Sequence, residues 1–98
     1  MTVTAYYELD EIEALLSYIE AFRIYLKRQT KMSTNRKSKY LNFLKVVKKL
    51  ALLNEFDEKK QLKLIEEVHS LKGKLSNEDW IIEKITELES RTKPSRGH

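Results

Sequence analysis

The stretch Arg36–Leu53 constrains the fold more than any other part of this 98-residue chain. On a helical wheel at about 100° per residue, its apolar residues fill one half of the circumference. These residues are Tyr40, Phe43, Leu44, Val46, Val47, Leu50, Ala51 and Leu53. The other half carries four lysines and two leucines, namely Lys37, Lys45, Lys48, Lys49, Leu41 and Leu52. The pattern predicts a core helix with a cationic outer face. Its two leucines are either ordinary exposed side chains or points where the helix is covered on a second side.

The composition indicates one folded helical domain. Apolar residues make up 41% and charged residues 35% of the chain, which is typical of a folded protein rather than a disordered one. Two glycines and one proline leave little turn chemistry for an all-β fold. No apolar run is long enough to span a membrane, and the N-terminus lacks the pattern of a secretory signal. Cysteine is absent, so we expect a reducing, cytoplasmic location without disulfides.

Breaks in the apolar pattern predict an all-α domain over residues 1–91, with about four antiparallel helices in two hairpins. Residues 3–9 read as the last turns of a further helix. The first long helix is expected to follow an N-cap at Asp10, with Glu13 completing a capping box, and to end near Lys31. Its expected buried residues are Leu9, Ile12, Leu15, Leu16, Ile19, Phe22 and Leu26, flanked by Tyr18 and Tyr25.

The connection to the second long helix is short. Ser33 or Thr34 is the expected N-cap, and the helix should end near Leu53. So short a connection makes the two long helices an antiparallel hairpin. After the second helix, Asn54 is expected to end it and Phe56 to fold back on the core.

Two shorter helices should follow. The third is expected to begin at an Asp57 N-cap and to stop before Gly73. Its expected buried residues are Leu62, Ile65 and Val68, with Leu64 and Leu71 as further candidates. The fourth should begin at a capping box of Ser76 and Asp79, bury Trp80 or Ile81 with Ile85 and Leu88, and fade near Ser90. Residues 92–98 read as a disordered tail. A closed bundle and a pair of stacked hairpins both satisfy this pattern, and the extra half-helix favours the second.

Charge is strongly segregated along the chain, although the net charge is only +4. Residues 1–22 carry five acids and no Lys or Arg, whereas residues 23–49 carry ten bases and no acid. Residues 50–98 are nearly balanced, with nine bases and ten acids. An acid-free basic segment of this length is the most unusual compositional feature of the chain.

Seven of these bases are expected to meet where the two long helices join. We call them the basic tip: Arg23, Lys27, Arg28, Lys31, Arg36, Lys37 and Lys39. Bases suit the C-terminus of a helix but are unfavourable at the N-terminus of the next. Either acids elsewhere in the fold or an external anion must therefore balance them. The candidate anion- or partner-binding residues are Arg28, Lys31, Arg36, Lys37 and Lys39, and Leu41 and Leu52 are candidate apolar contacts.

Signals for catalysis are weak. Glu66 and His69 have the spacing of a di-iron motif, but such a site needs a second copy and two further carboxylates. A glycine-rich phosphate loop cannot be built from Gly73 and Gly97 alone. We therefore expect no enzymatic activity, no cofactor and no metal. Trp80, the only tryptophan, is expected to cover the end of the core, with an exposed interface anchor as the alternative.

Several stretches resemble helical-repeat proteins. Ala5–Leu15 resembles the turn between the two helices of a tetratricopeptide repeat, although Asp10 replaces the usual Gly and no second copy follows at a period of about 34 residues. Phe22–Arg28, Tyr40–Phe43 and Asp79–Ile85 look like the C-terminal end of large, uncharacterised bacterial helical-repeat proteins. This resemblance implies the end of a longer α-solenoid, in which preceding hairpins cover a face of small residues. These residues are Ala14, Ser17 and Ala21. The resemblance implies no activity.

The sequence therefore favours a non-catalytic protein–protein interaction or scaffold module with an unknown protein partner. The alternative is a small basic nucleic-acid-binding domain that uses the tip around residues 23–39. Self-association through Leu41 and Leu52 also stays open.

Overall fold

The computed structural model describes residues 2–53 and 57–92. They form five α-helices: α1 Thr2–Glu8, α2 Ile12–Arg28, α3 Thr34–Leu52, α4 Glu58–Ser70 and α5 Glu78–Thr92. No strand occurs in this part of the chain, and the predicted all-α fold is confirmed. Helix α1 is the half-helix expected at residues 3–9. The expectations for Asn54, Phe56 and the tail from residue 93 onward lie outside the described residues.

Helix α3 lies at the centre of the fold. It packs against α2, α4 and α5, while α1 packs on α2 and α4 packs on α5. The α2–α3 and α4–α5 pairs are the two predicted hairpins. The principal extents are 52 × 28 × 20 Å.

The predicted apolar half of α3 supplies the middle of the core. Five of its residues are buried, namely Phe43, Leu44, Val46, Val47 and Leu50. The other helices and the α4–α5 connection add Val3, Leu15, Ile19, Leu26, Leu64, Ile65, Val68, Leu75, Ile81, Ile85 and Leu88. The core is thus continuous from α1 to α5.

Three residues expected in the core are exposed instead. Leu9 is 69% exposed because α1 has already ended and the residue lies in the turn before α2. Tyr25 is 52% exposed at the edge of the α2 stripe. Leu62 is 53% exposed, since the buried stripe of α4 runs through other positions and Leu62 lies about 100° away from it. That stripe consists of Gln61, Leu64, Ile65 and Val68.

Two predicted helix caps are confirmed. The Oγ of Ser33 accepts a hydrogen bond from the backbone N–H of Arg36 at 3.1 Å, at the start of α3. The Oδ1 of Asp57 accepts from the N–H of Lys60 at 3.1 Å, at the start of α4. Each cap satisfies a backbone donor that the first turn of its helix leaves unpaired.

The predicted cap at Asp10 is wrong. Its φ is +60°, in the left-handed region, whereas an N-cap residue has extended backbone. The N–H of Asp10 donates to the carbonyl of Tyr7 at 3.0 Å, and the N–H of Glu11 donates to that of Tyr6 at 2.9 Å. The turn thus satisfies the last carbonyls of α1, and α2 begins at Ile12 with no side-chain cap.

The remaining boundaries differ by a few residues. Helix α2 ends at Arg28, three residues before the predicted Lys31. Gly73, with φ +82°, follows α4 as predicted. The Ser76 cap is wrong, because Asn77 has φ +52° and α5 begins only at Glu78.

Candidate binding groove

Helices α2, α3 and α4 border an open groove with a volume of about 770 Å³. We call it the cationic groove. Helix α3 forms its floor, and α2 and α4 form its two walls. The floor carries Leu41, Asn42, Leu44, Lys45, Lys48, Lys49, Leu52 and Leu53. The walls carry Ile19, Arg23 and Lys27 from α2 and Lys60, Lys63, Leu64 and Glu67 from α4. The wall residues follow helical spacing, so each wall presents a single face of its helix.

Leu41 and Leu52, the two leucines on the cationic side of α3, both line this groove. Leu41 is half-buried and Leu52 is 58% exposed. They lie eleven positions apart, which is about three helical turns. The second face of α3 is therefore flanked by two helices but is not covered by either.

Charge in the groove is strongly one-sided. Among the described residues, seven cations and one carboxylate line it. That carboxylate, Glu67, lies 2.7 Å from the Nζ of Lys49 and 3.6 Å from the Nζ of Lys45. Arg23 pairs with Glu20 of its own helix at 3.0 Å. The four other cations have no carboxylate partner among the described residues: Lys27, Lys48, Lys60 and Lys63.

The structure divides the basic tip. Arg23 and Lys27 line the groove, while five cations remain around the α2–α3 connection. Arg28, Lys31 and Arg36 are exposed, and Lys37 and Lys39 are half-buried. Residues 2–53 and 57–92 provide no carboxylate within salt-bridge distance of any of the five. Acids elsewhere in this part of the chain therefore do not balance the charges of the five tip cations.

The α4–α5 connection docks beside the tip, which the sequence did not reveal. The backbone N–H of Ser76 donates to the carbonyl of Lys39 at 3.1 Å, and the Nδ2 of Asn42 donates to the carbonyl of Lys74 at 3.0 Å. These bonds bring Lys74 to the same end of α3 as the tip. The sequence could not predict the position of Lys74 beside the tip, because the contact joins residues more than thirty positions apart. The positive charge of Lys74 was the only local indication.

A second polar cluster joins α1 to α5. The Oε2 of Glu8 accepts hydrogen bonds from the Nζ of Lys84 at 2.7 Å and from the Nε1 of Trp80 at 3.1 Å. The Lys84 ammonium also lies 5.6 Å from the centre of the Trp80 ring. Trp80 packs edge-to-face on Tyr7 and Phe43, so it covers the core beside α1.

Both charged groups of this cluster titrate away from their ordinary values. The hydrogen bond from Lys84, and then that from Trp80, lowers the pKa of Glu8. The hydrogen bond to Glu8 raises the pKa of Lys84, and this outweighs the opposing effect of burial. Lys84 is only 8% exposed. The cluster therefore stabilises the docking of α1 on α5.

The remaining candidates are the Glu66 and His69 spacing, a metal site and a membrane-spanning helix. The Nε2 of His69 lies 3.2 Å from a carboxylate oxygen of Glu89, on α5. Within the described ranges, no group of three or more His, Asp or Glu side chains could hold a metal ion. No helix in the same ranges is long and apolar enough to cross a bilayer.

Comparison with known proteins gives no significant match to a protein-family model, to a curated protein or to a solved structure.

Proposed function

We propose that this chain is a non-catalytic helical module that binds another protein, and that it forms the end of a longer helical-repeat protein. The observation that supports binding most directly is the cationic groove. Leu52 keeps 58% of its surface exposed at the floor, and four nearby lysines have no carboxylate partner in the part of the chain that the structure describes. Exposed apolar surface beside unpaired charge is typical of a surface that a partner covers.

The helical-repeat part of the proposal is supported by the outer face of α2. Ser17 and Ala21 are exposed, and Ile24, on the same face, is 46% exposed. A preceding hairpin could pack closely there, because small side chains let two helix backbones approach each other. If the gene encodes more hairpins upstream, Ala21→Trp should destabilise the longer protein and leave this chain unaffected. Equal effects on both would count against the repeat.

Protein binding is tested by capture from a lysate of the source organism. A partner retained by the wild-type chain should be lost with Leu41→Gln/Leu52→Gln, and circular dichroism should confirm that this variant is folded. The control variant Leu62→Gln changes an equally exposed leucine outside the groove and should retain the partner. A chain that retains no protein specifically would overturn the proposal.

Nucleic-acid binding is the second candidate. It is favoured by the five tip cations, which have no carboxylate partner among the described residues. Its signature would be micromolar affinity for nonspecific DNA or RNA that falls steeply with salt and is lost with Lys37→Glu/Lys39→Glu. That result would put nucleic-acid binding first. No binding at low salt would remove it.

A further inference from the structure

Building on the protein-binding function above, we propose that the cationic groove binds an acidic amphipathic helix of about three turns. The helix would lay a leucine-rich stripe on the floor and present Asp and Glu side chains to both walls. This identifies the partner by its chemistry.

The floor of the groove requires apolar atoms in the occupant. Leu52 is exposed at one end of the floor, next to the half-buried Leu53, and the half-buried Leu41 lies about three turns away. The other apolar lining residues, Leu44, Ile19 and Leu64, are buried in the core. A polyanion without apolar side chains would leave this surface in contact with water. Stacking of nucleic-acid bases would need aromatic side chains, and none of the lining residues in ranges 2–53 and 57–92 is aromatic.

The cationic walls favour an occupant that carries negative charge on both sides of its apolar stripe. Arg23 and Lys27 lie one helical turn apart on α2, and Lys60 and Lys63 lie one turn apart on α4. The two rows thus flank the leucines of α3. An amphipathic helix with acids on either side of an apolar stripe matches this arrangement, and a single carboxylate such as that of a fatty acid would meet only one of the rows.

The length of the floor sets the length of the helix. The floor residues of α3 and its C-cap run from Leu41 to Leu53, a rise of about 18 Å. A partner helix of about 12 residues has the same length. This length presents three or four apolar side chains to the floor, as in other helix-in-groove complexes.

Glu67 opposes such a partner. It is the only acid among the lining residues that the structure describes, and it neutralises part of the charge of Lys45 and Lys49. Replacing it with Gln should free both lysines and tighten the binding of an acidic helix several-fold.

The proposal is tested by fluorescence anisotropy with the full chain and labelled synthetic helices of about four turns. One peptide carries Leu at helical spacing with Glu on its flanks, the second has the same composition in scrambled order, and the third has Lys in place of Glu. We expect micromolar affinity for the first peptide, at least tenfold weaker binding of the second, and none of the third. Equal binding of the first two peptides would overturn the proposal, because charge alone would then account for it.

Variants test whether the peptide lies in the groove. Leu52→Gln should weaken binding at least tenfold, whereas Leu62→Gln, equally exposed on α4 but outside the groove, should leave it unchanged. Lys63→Glu should weaken it, whereas Lys59→Glu, outside the groove on the same helix, should change it much less. Equal effects within either pair would overturn the proposal.

Other occupants give distinct results. Displacement of the peptide by oligouridylate at a lower concentration than by the unlabelled peptide would assign the groove to nucleic acid. Dimerisation of the chain that Leu52→Gln abolishes would assign it to a second copy. Either result overturns the acidic helix. A lysate partner that is lost with Lys37→Glu/Lys39→Glu but kept with Leu52→Gln would overturn this inference and leave the protein-binding function intact.

Discussion

Glu8 Oε2 lies 2.7 Å from Lys84 Nζ, and this salt bridge fastens α1 to α5. The two partners differ in their surroundings, since the side chain of Lys84 is 9% exposed and that of Glu8 is 51% exposed. Loss of either partner should therefore have unequal effects. The charge of a lysine whose side chain is largely buried depends on its counter-charge, whereas a half-exposed carboxylate can be solvated by water.

Glu8→Gln should consequently destabilise the fold more than Lys84→Met. The first removes the main counter-charge of Lys84, and we expect a loss of about 1 kcal/mol in the free energy of unfolding. The second removes the buried charge itself and keeps an apolar stem against Trp80, so its loss should be smaller. Urea denaturation of both variants measures the difference. A larger loss for Lys84→Met would contradict the unequal burial of the pair.

The same pair predicts how stability depends on pH. Because the pKa of Glu8 is lowered in the folded state, its contribution is present above the ordinary value of 4.5 and is lost as pH falls through the folded pKa. Because the pKa of Lys84 is raised, its contribution is present below 10.5 and is lost as pH rises through the folded pKa. The difference in urea midpoint between the wild type and Glu8→Gln should therefore shrink as pH falls below 4.5. A constant difference down to the most acidic pH tested would argue against the pair.

Leu15→Ala should destabilise the fold by about 2–5 kcal/mol, since Leu15 is fully buried and its removal leaves a cavity. Leu62→Ala is the matched control, with the same substitution at a leucine that is 53% exposed, and should cost about 0.5 kcal/mol or less. Thermal or urea unfolding measures both. Similar losses would contradict the difference in burial between the two leucines.

Gly73→Ala should destabilise the fold by about 1 kcal/mol through backbone conformation alone. A Cβ there would meet no atom within 4 Å, but the φ of +82° is unfavourable for an L-residue. Gly73→Asn should cost less, because Asn tolerates the left-handed region better than Ala does. Equal losses in urea unfolding for the two variants would point to another cause, such as the hydrogen bond from the Gly73 N–H to Glu78.

Local patterns predicted most of the helices. The wheel of α3 identified its buried face because apolar spacing reports which side of a helix meets the core. Ser33 and Asp57 marked helix starts, since their side chains bond to donors only three residues away. The N-cap predicted at Asp10 was wrong for a related reason. Asp favours both an N-cap and a left-handed turn, and local sequence does not decide between them.

The groove and the α1–α5 cluster depend on contacts between distant residues. The helical wheel placed Leu41 and Leu52 on the cationic half of α3 and not on its core-facing half. This placement was the one local signal of the groove. It could not show that α2 and α4 flank that face, because periodicity carries no information on how helices are arranged. Likewise, nothing near Lys84 in the sequence identifies it as buried, since its partner lies 76 positions away.

That distance also bears on the order in which the chain folds. Most helix pairs in this protein are neighbours along the sequence, and they close short loops at a small entropic cost. The hydrogen bond between Glu8 and Trp80 instead closes a loop of 72 residues. Contacts of such separation form after local ones, so α1 is expected to join α5 last during folding and to detach first under denaturant. The amide protons of α1 should then exchange with solvent sooner than those of α3, which packs against α2, α4 and α5.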